Sequence, residues 1–195
     1  MDLIDSLDQS FRHTKGVIGN IRADQYDNAT PCEDWTVRDL LAHTIGVVAG
    51  LGAAASGSPG APFELSADPA AQFEEIAATT LAAWSTPGVF DQVLDFPAGP
   101  MPGRVLAGIN LLDTTTHCWD LACATGQSPH LPDGVAEAAL EVSRATISPD
   151  IRSGRFAPEQ PVAADAGPTD QLVAFLGRRP DGRPVTESPV QPEIR

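Results

Sequence analysis

At 195 residues the chain is long enough for one substantial hydrophobic core, and its 42% apolar and 19% charged content is ordinary for a globular protein. A formal charge of −14 repels phosphate backbones and anionic lipid heads, which excludes nucleic acid and membranes as general partners. No apolar run reads as long enough to span a bilayer, and Met1-Asp2-Leu3-Ile4-Asp5 lacks the basic start of a signal peptide, so a cytoplasmic location is expected.

Residues 3–23 read as a first helix, because Ile4, Leu7, Phe11, Ile18 and Ile21 recur at helical spacing; His13 lies off that stripe, in solvent. Residues 26–33 form a turn region broken by Asn28, Thr30 and Pro31. A second helix starts at Thr36, where Thr36 and Asp39 have the spacing of a capping box. Leu40, His43, Val47 and Leu51 then share one face, which points His43 inward. A Gly-, Ala-, Ser- and Pro-rich stretch, residues 52–69, ends that helix. A third helix runs from about 68 to 85, with Phe73, Ile76, Ala77, Leu81 and Trp84 inward. Residues 86–103 carry Pro87, Pro97, Pro100 and Pro102, which forbid a helix; 89–96 suits a short extended piece. So long an irregular segment either borders the functional site or is a plain connector.

The fourth helix, about 104–125, stops at Gly126; His130 follows in a loop and is read as solvated. A fifth, about 133–147, has Val135, Ala138, Ala139 and Val142 on one side and is closed by Pro149. Residues 156–166 are extended or irregular, 169–176 form a short capped helix stopped by Gly177, and the Pro-rich tail from Arg178 is expected to be a surface arm. The expected organisation is a helical bundle over 1–150. A C-terminal extension over 151–195 packs its short helix on the bundle and ends in the polar tail.

Chemistry concentrates in Leu111-Leu112-Asp113-Thr114-Thr115-Thr116-His117-Cys118-Trp119-Asp120-Leu121. On a helix Asp113 and His117 stand one turn apart, within a stripe of Leu106, Asn110, Asp113, His117, Leu121 and Ala124. A carboxylate and an imidazole in such a stripe are costly to bury, so they either pair with other side chains or hold a metal ion. His43 can supply a third ligand across a helix bundle. Two imidazoles and one carboxylate suit zinc, and also nickel, iron or manganese, and three protein ligands leave a position open, as in catalytic sites. Asn110, Asp120 and Arg38 are candidates for contacts behind the ligands or with substrate, while Trp35 and Trp119 read as packing residues beside them. Cys32, Cys118 and Cys123 are odd in number and lack CxxC spacing, which argues against a disulfide framework or a zinc knuckle and for free thiols. Cys32, just before a helix start, is the alternative source of a reactive thiolate.

The segment Thr30-Pro31-Cys32-Glu33-Asp34-Trp35-Thr36-Val37-Arg38-Asp39-Leu40-Leu41-Ala42-His43 resembles the N-terminal motif of the DinB-like, mycothiol-dependent maleylpyruvate isomerase superfamily. Residues 113–126 resemble its second metal motif, and 96–103 and 172–180 are similar to a short, mostly uncharacterised branch of it. The resemblance implies an all-α fold: a DinB-like four-helix bundle with an additional helix and an irregular C-terminal extension. It implies a divalent metal, zinc foremost, held by His43, Asp113 and His117, with mycothiol as co-substrate. The implied activity is that of a thiol-dependent S-transferase or isomerase, in which a thiolate formed at the metal attacks an electrophilic carbon. A non-catalytic metal-binding or stress-response bundle and a metal-dependent hydrolase are the alternatives. The expected partners are a small-molecule thiol and an electrophile, with a homodimer left open.

Overall fold

Capping chemistry sets most of the element boundaries. The computed structural model describes residues 2–32, 34–97, 99–153 and 156–183, and the part of the expected tail over 184–195 lies outside them. Helix α1 spans Leu3–Gly19, capped by the Asp2 carboxylate, which accepts from the Ile4 N–H at 2.7 Å. Helix α2 spans Val37–Ala55 behind a complete capping box: the Thr36 hydroxyl accepts from the Asp39 N–H, and the Asp39 carboxylate accepts from the Thr36 N–H. Helix α3 spans Pro69–Trp84, with Asp68 as its cap and Pro69 in its first turn. Helix α4 spans Gly103–Thr125 and ends on Gly126 at φ 68°, a left-handed stop.

Helix α5 covers Asp133–Thr146, α6 is a single turn over Pro149–Arg152, and α7 covers Pro168–Phe175. The described residues are thus all-α apart from one small hairpin, β1 (Val93–Leu94) against β2 (Met101–Pro102).

Helix α2 lies against α3 and α4, α1 against the same two helices, and α5 against α4 and α1, with α7 on α5. Between them sits one core that includes Leu7, Leu41, Phe73, Trp84, Leu106 and Trp119, all essentially inaccessible. Two polar pairs are buried inside it: Ser10 and Thr115 share a hydroxyl hydrogen bond of 2.9 Å across α1 and α4, and Trp84 Nε1 donates to Asn110 Oδ1 at 3.0 Å.

Several expectations are corrected. The first helix ends at Gly19, and the chain continues through a 3-10 turn at Ala23–Gln25. His13 is half-buried, and burial lowers its pKa below the ordinary value, with a smaller push from His130. Pro149 opens α6 under a Ser148 cap and does not merely close α5. At 19 residues and a mean hydropathy of 1.3, α2 is long and apolar enough to cross a bilayer. Its apolar side is nonetheless occupied within the fold: Leu40, Leu41, Ile45, Val48 and Leu51 are fully buried. The 86–103 segment packs on the start of α4: the Gly103 N–H donates to the Gln92 carbonyl at 2.8 Å, and Phe90 stacks on Trp84. Ten residues of helix, about 15 Å of rise, separate that contact from Asp113.

Two connections reach the far end of α4. The loop between α1 and α2 is pinned there by Gln25 Nε2 donating to the Thr125 carbonyl at 2.8 Å and Asn28 Nδ2 donating to the Ala124 carbonyl at 3.0 Å. The second is the chain after α7. Gly177 turns it at φ 83°, where any Cβ would stand 2.5 Å from the Ala157 carbonyl oxygen. Arg178 N–H then donates to the Val173 carbonyl at 2.8 Å, which aims the Arg178 side chain back at α4.

Candidate metal centre

Asp113 and His117 occupy successive turns of α4, and His43 lies two turns into α2, where the Thr36 capping box sets its position along the helix. His43 Nε2 stands 3.4 Å from Asp113 Oδ2, and His117 Nε2 stands 3.6 Å from the same oxygen. The two imidazoles meet edge to face, with ring centroids 4.9 Å apart. The ligating atoms of all three residues lie within 4.8 Å of one another. His43 was expected to point into the core. Its stripe instead runs along the rim of the buried face of α2, leaving its side chain 32% exposed.

Two observations show that the three residues fit a cation. Donor atoms bonded at about 2.0–2.1 Å to one tetrahedral zinc ion stand roughly 3.3 Å apart, close to the 3.4 and 3.6 Å that separate the two imidazoles from Asp113 Oδ2. The second is Asp113 Oδ1, which is buried and has no hydrogen-bond partner among the described residues. A buried carboxylate oxygen without a donor is expensive, and a cation relieves it.

The opposite edge of the His117 ring is fully engaged. Its Nδ1 lies 3.0 Å from Asp120 Oδ2, three residues on along α4. Asp120 is completely buried and accepts four donors. Arg178 Nε reaches Oδ1 at 2.8 Å; Oδ2 takes Arg178 Nη2 at 2.8 Å, His117 Nδ1–H, and the Cys32 thiol at 3.2 Å. Burial alone would raise the Asp120 carboxyl; the Arg178 guanidinium and the His117 hydrogen bond outweigh it and hold the group below the usual carboxylate range. For His117, burial would lower the pKa, but Asp113 and then Asp120 prevail and raise it to about 10. The centre therefore attracts positive charge, whether a proton or a metal ion.

Cys32, His117 and Asp120 form a second group of donors with metal-like spacing. That group already holds a cation. The Arg178 guanidinium bonds both Asp120 oxygens and lies 3.6 Å from Cys32 Sγ, so its charge stands where a metal would have to go. Of the two donor groups, only the one around Asp113 has an acceptor left over.

Trp35 covers the centre from outside. Its ring centroid is 4.7 Å from that of His43 and 6.3 Å from that of His117, and the residue is 36% exposed. Trp35 thus packs beside the ligands and forms a wall of the site, while Trp119 lies in the core. Asp34, just before Trp35, has φ 64°, the left-handed conformation that Asp tolerates better than most residues.

The other candidate residues divide. Asp120 and Cys32 touch His117 as described. Asn110 sits in the core and bonds Trp84 and Thr114. Arg38 is exposed and stacks on Tyr26, with its guanidinium 4.8 Å from the ring centroid. Cys118 and Cys123 are set apart by burial, which pushes both thiols up to about 12. Arg178 was expected to begin a surface arm; it is instead largely buried against Asp120. One signal pointed to such a partner: an acid at Asp120, inside the apolar run Trp119-Asp120-Leu121-Ala122, needs a cation, though nothing in the sequence says which one.

Known proteins extend this picture. Two uncharacterized proteins of Mycobacterium tuberculosis, MT0763 and Rv0738, are each 38% identical to the chain over 167 residues, covering 83% of it and 90% of their own length. Among solved structures, a histidine-to-alanine mutant of the mycothiol-dependent maleylpyruvate isomerase shares the fold with a TM-score of 0.55 at 16% identity, over 82% of this chain and 75% of that one. A second structure of the same isomerase gives 0.50 at 15% identity, over 73% and 68%. Residues 7–122 match the family described as the mycothiol maleylpyruvate isomerase N-terminal domain, and the chain belongs to that family.

Proposed function

We propose that the chain binds one divalent metal ion, zinc foremost, through His43, Asp113 and His117. We further propose that it uses this centre to activate a low-molecular-weight thiol such as mycothiol for S-transfer to, or isomerisation of, an electrophilic substrate. The observation that carries the reading is the convergence of two imidazoles on one oxygen of Asp113, whose other oxygen is buried without a donor. Family membership supports a small thiol as the co-substrate. Bound here, a divalent ion supplies Lewis acidity that favours the ionised form of a thiol at neutral pH.

The chain's own side chains do the rest. Asp120 accepts a hydrogen bond from His117 Nδ1–H, which leaves Nε2, the nitrogen facing Asp113, as the one a metal would take in exchange for its proton. Trp35 shields one side of both imidazoles from bulk water and presents an apolar face to an incoming substrate. Cys32 is spent on Asp120 and Arg178, which leaves an external thiol as the nucleophile. Three cysteines without a disulfide suit a reducing compartment, the cytoplasm.

Cobalt-substituted protein tests the reading. Added mycothiol should perturb the visible cobalt spectrum, and conjugation of the thiol to a bimane electrophile should accelerate, with both effects lost in His117→Ala. If neither occurs with metal fully loaded, the thiol chemistry is wrong and a non-catalytic metal-binding role takes its place. Turnover of an ester or amide without any thiol would point to hydrolysis by an activated water.

A further inference from the structure

Everything in the family match lies within residues 7–122, yet the buried hub behind His117 is completed by Arg178, from the chain after α7. We infer that Asp120 and Arg178 are positioning residues of the centre: Arg178 holds Asp120, and Asp120 fixes the orientation and tautomer of His117, making the C-terminal segment a working part of the site. The inference rests on the metal-binding reading above and deepens it.

The geometry leaves the carboxylate little freedom. Asp120 is bridged by two guanidinium nitrogens at 2.8 Å, one to each oxygen, a bidentate pair that fixes the plane of the carboxylate. The oxygen facing His117 is therefore fixed as well, 3.0 Å from Nδ1. An ionised carboxylate can only accept a hydrogen bond, so Nδ1 must carry a proton, and Nε2 is the nitrogen left to give up its own proton to a metal. Nε2 is the atom that faces Asp113. Orientation of a ligating histidine by a carboxylate on its other nitrogen is a general device for tuning metal affinity, and losing it typically costs about 10- to 100-fold in binding.

Arg178 also explains why this acid is tolerated. An unpaired carboxylate with no exposure would be strongly destabilising, whereas a paired one satisfied by further donors is not. The arginine is delivered by the Gly177 turn and by the Arg178 N–H bond to Val173, so docking of α7 and formation of the hub are one event.

Removing Arg178 alone would strand Asp120 and risk unfolding. The test therefore uses the full chain, Asp120→Asn, and the double variant Asp120→Asn/Arg178→Met, which removes both charges together. The Asn side chain can either accept from or donate to Nδ1, so it no longer enforces one tautomer. Zinc affinity is measured by competition with a chromophoric chelator, and the His117 Nδ1 proton is followed by NMR in the zinc-loaded proteins. The expected result is an exchange-protected Nδ1–H signal in the unaltered chain, its broadening or loss in both variants, and zinc affinity lower by about 10- to 100-fold. A purely structural pair would leave the Nδ1–H signal of folded variants unchanged. Affinity within twofold of the unaltered chain, or an unchanged Nδ1–H signal in both variants, overturns the positioning role while metal binding stands. Failure of the unaltered chain itself to bind zinc overturns the metal reading and this inference with it.

Discussion

Trp35 and His43 stack at the mouth of the centre, their ring centroids 4.7 Å apart and their planes tilted by 57°. The tryptophan comes from the loop before α2 and the histidine from within α2, so the capping box between them sets their relative position. Trp84 and Trp119, the other two tryptophans, are fully buried. Titration with nickel or cobalt is therefore expected to quench a red-shifted, exposed component of the fluorescence. Trp35→Phe should abolish that quenching while leaving the buried emission in place. Quenching of equal depth in Trp35→Phe would mean that the metal binds nearer another tryptophan.

The three thiols should react unequally. Burial pushes Cys118 and Cys123 up to about 12, so at pH 8 both are almost wholly protonated, and Cys118 is shielded as well. Iodoacetamide is expected to label Cys32 alone in the folded chain and all three residues in denaturant, as read by peptide mass mapping. Labelling of Cys118 at a rate comparable to Cys32 would contradict the packing around α4.

The cap of α2 makes a pH-dependent contribution. Hydrogen bonds from the Thr36 side chain and then its backbone hold the Asp39 carboxyl below its ordinary 3.8. A group whose folded-state pKa is depressed gives its full stability above the unfolded value and loses it as pH falls through the folded one. Thermal stability should thus drop below about pH 4, with a shallower drop in Asp39→Asn. Thr36→Ala at pH 7 should cost about 1 kcal/mol in denaturant unfolding, the usual value of a lost N-cap. An identical pH profile for Asp39→Asn would remove Asp39 from the account.

How far the sequence was readable follows from the range of each interaction. Thr36 and Gly126 mark helix ends through bonds to residues three or four places away, and they are recognised correctly, as is the start of α3 near Asp68. The Asp113 and His117 pair is equally local, since one turn of helix dictates it. His43 could be assigned to a helix face but not to its rim, because that depends on where α3 and α4 press on α2. Arg178 was misread for the same reason: its partner is 58 positions away in the chain, and only the turn at Gly177 brings them together. The 86–103 segment was open to two readings. Its length fitted a loop at the site or a connector, and Phe90 and the small hairpin pack it at the start of α4.

The central claim is that His43, Asp113 and His117 jointly hold one metal ion, and elemental analysis of untagged protein tests it most directly. The account predicts about one divalent ion per chain, with zinc the leading element, and essentially none in His43→Ala or His117→Ala preparations that remain folded. Full occupancy in both folded variants, or no metal in the unaltered chain after exposure to zinc, would contradict it.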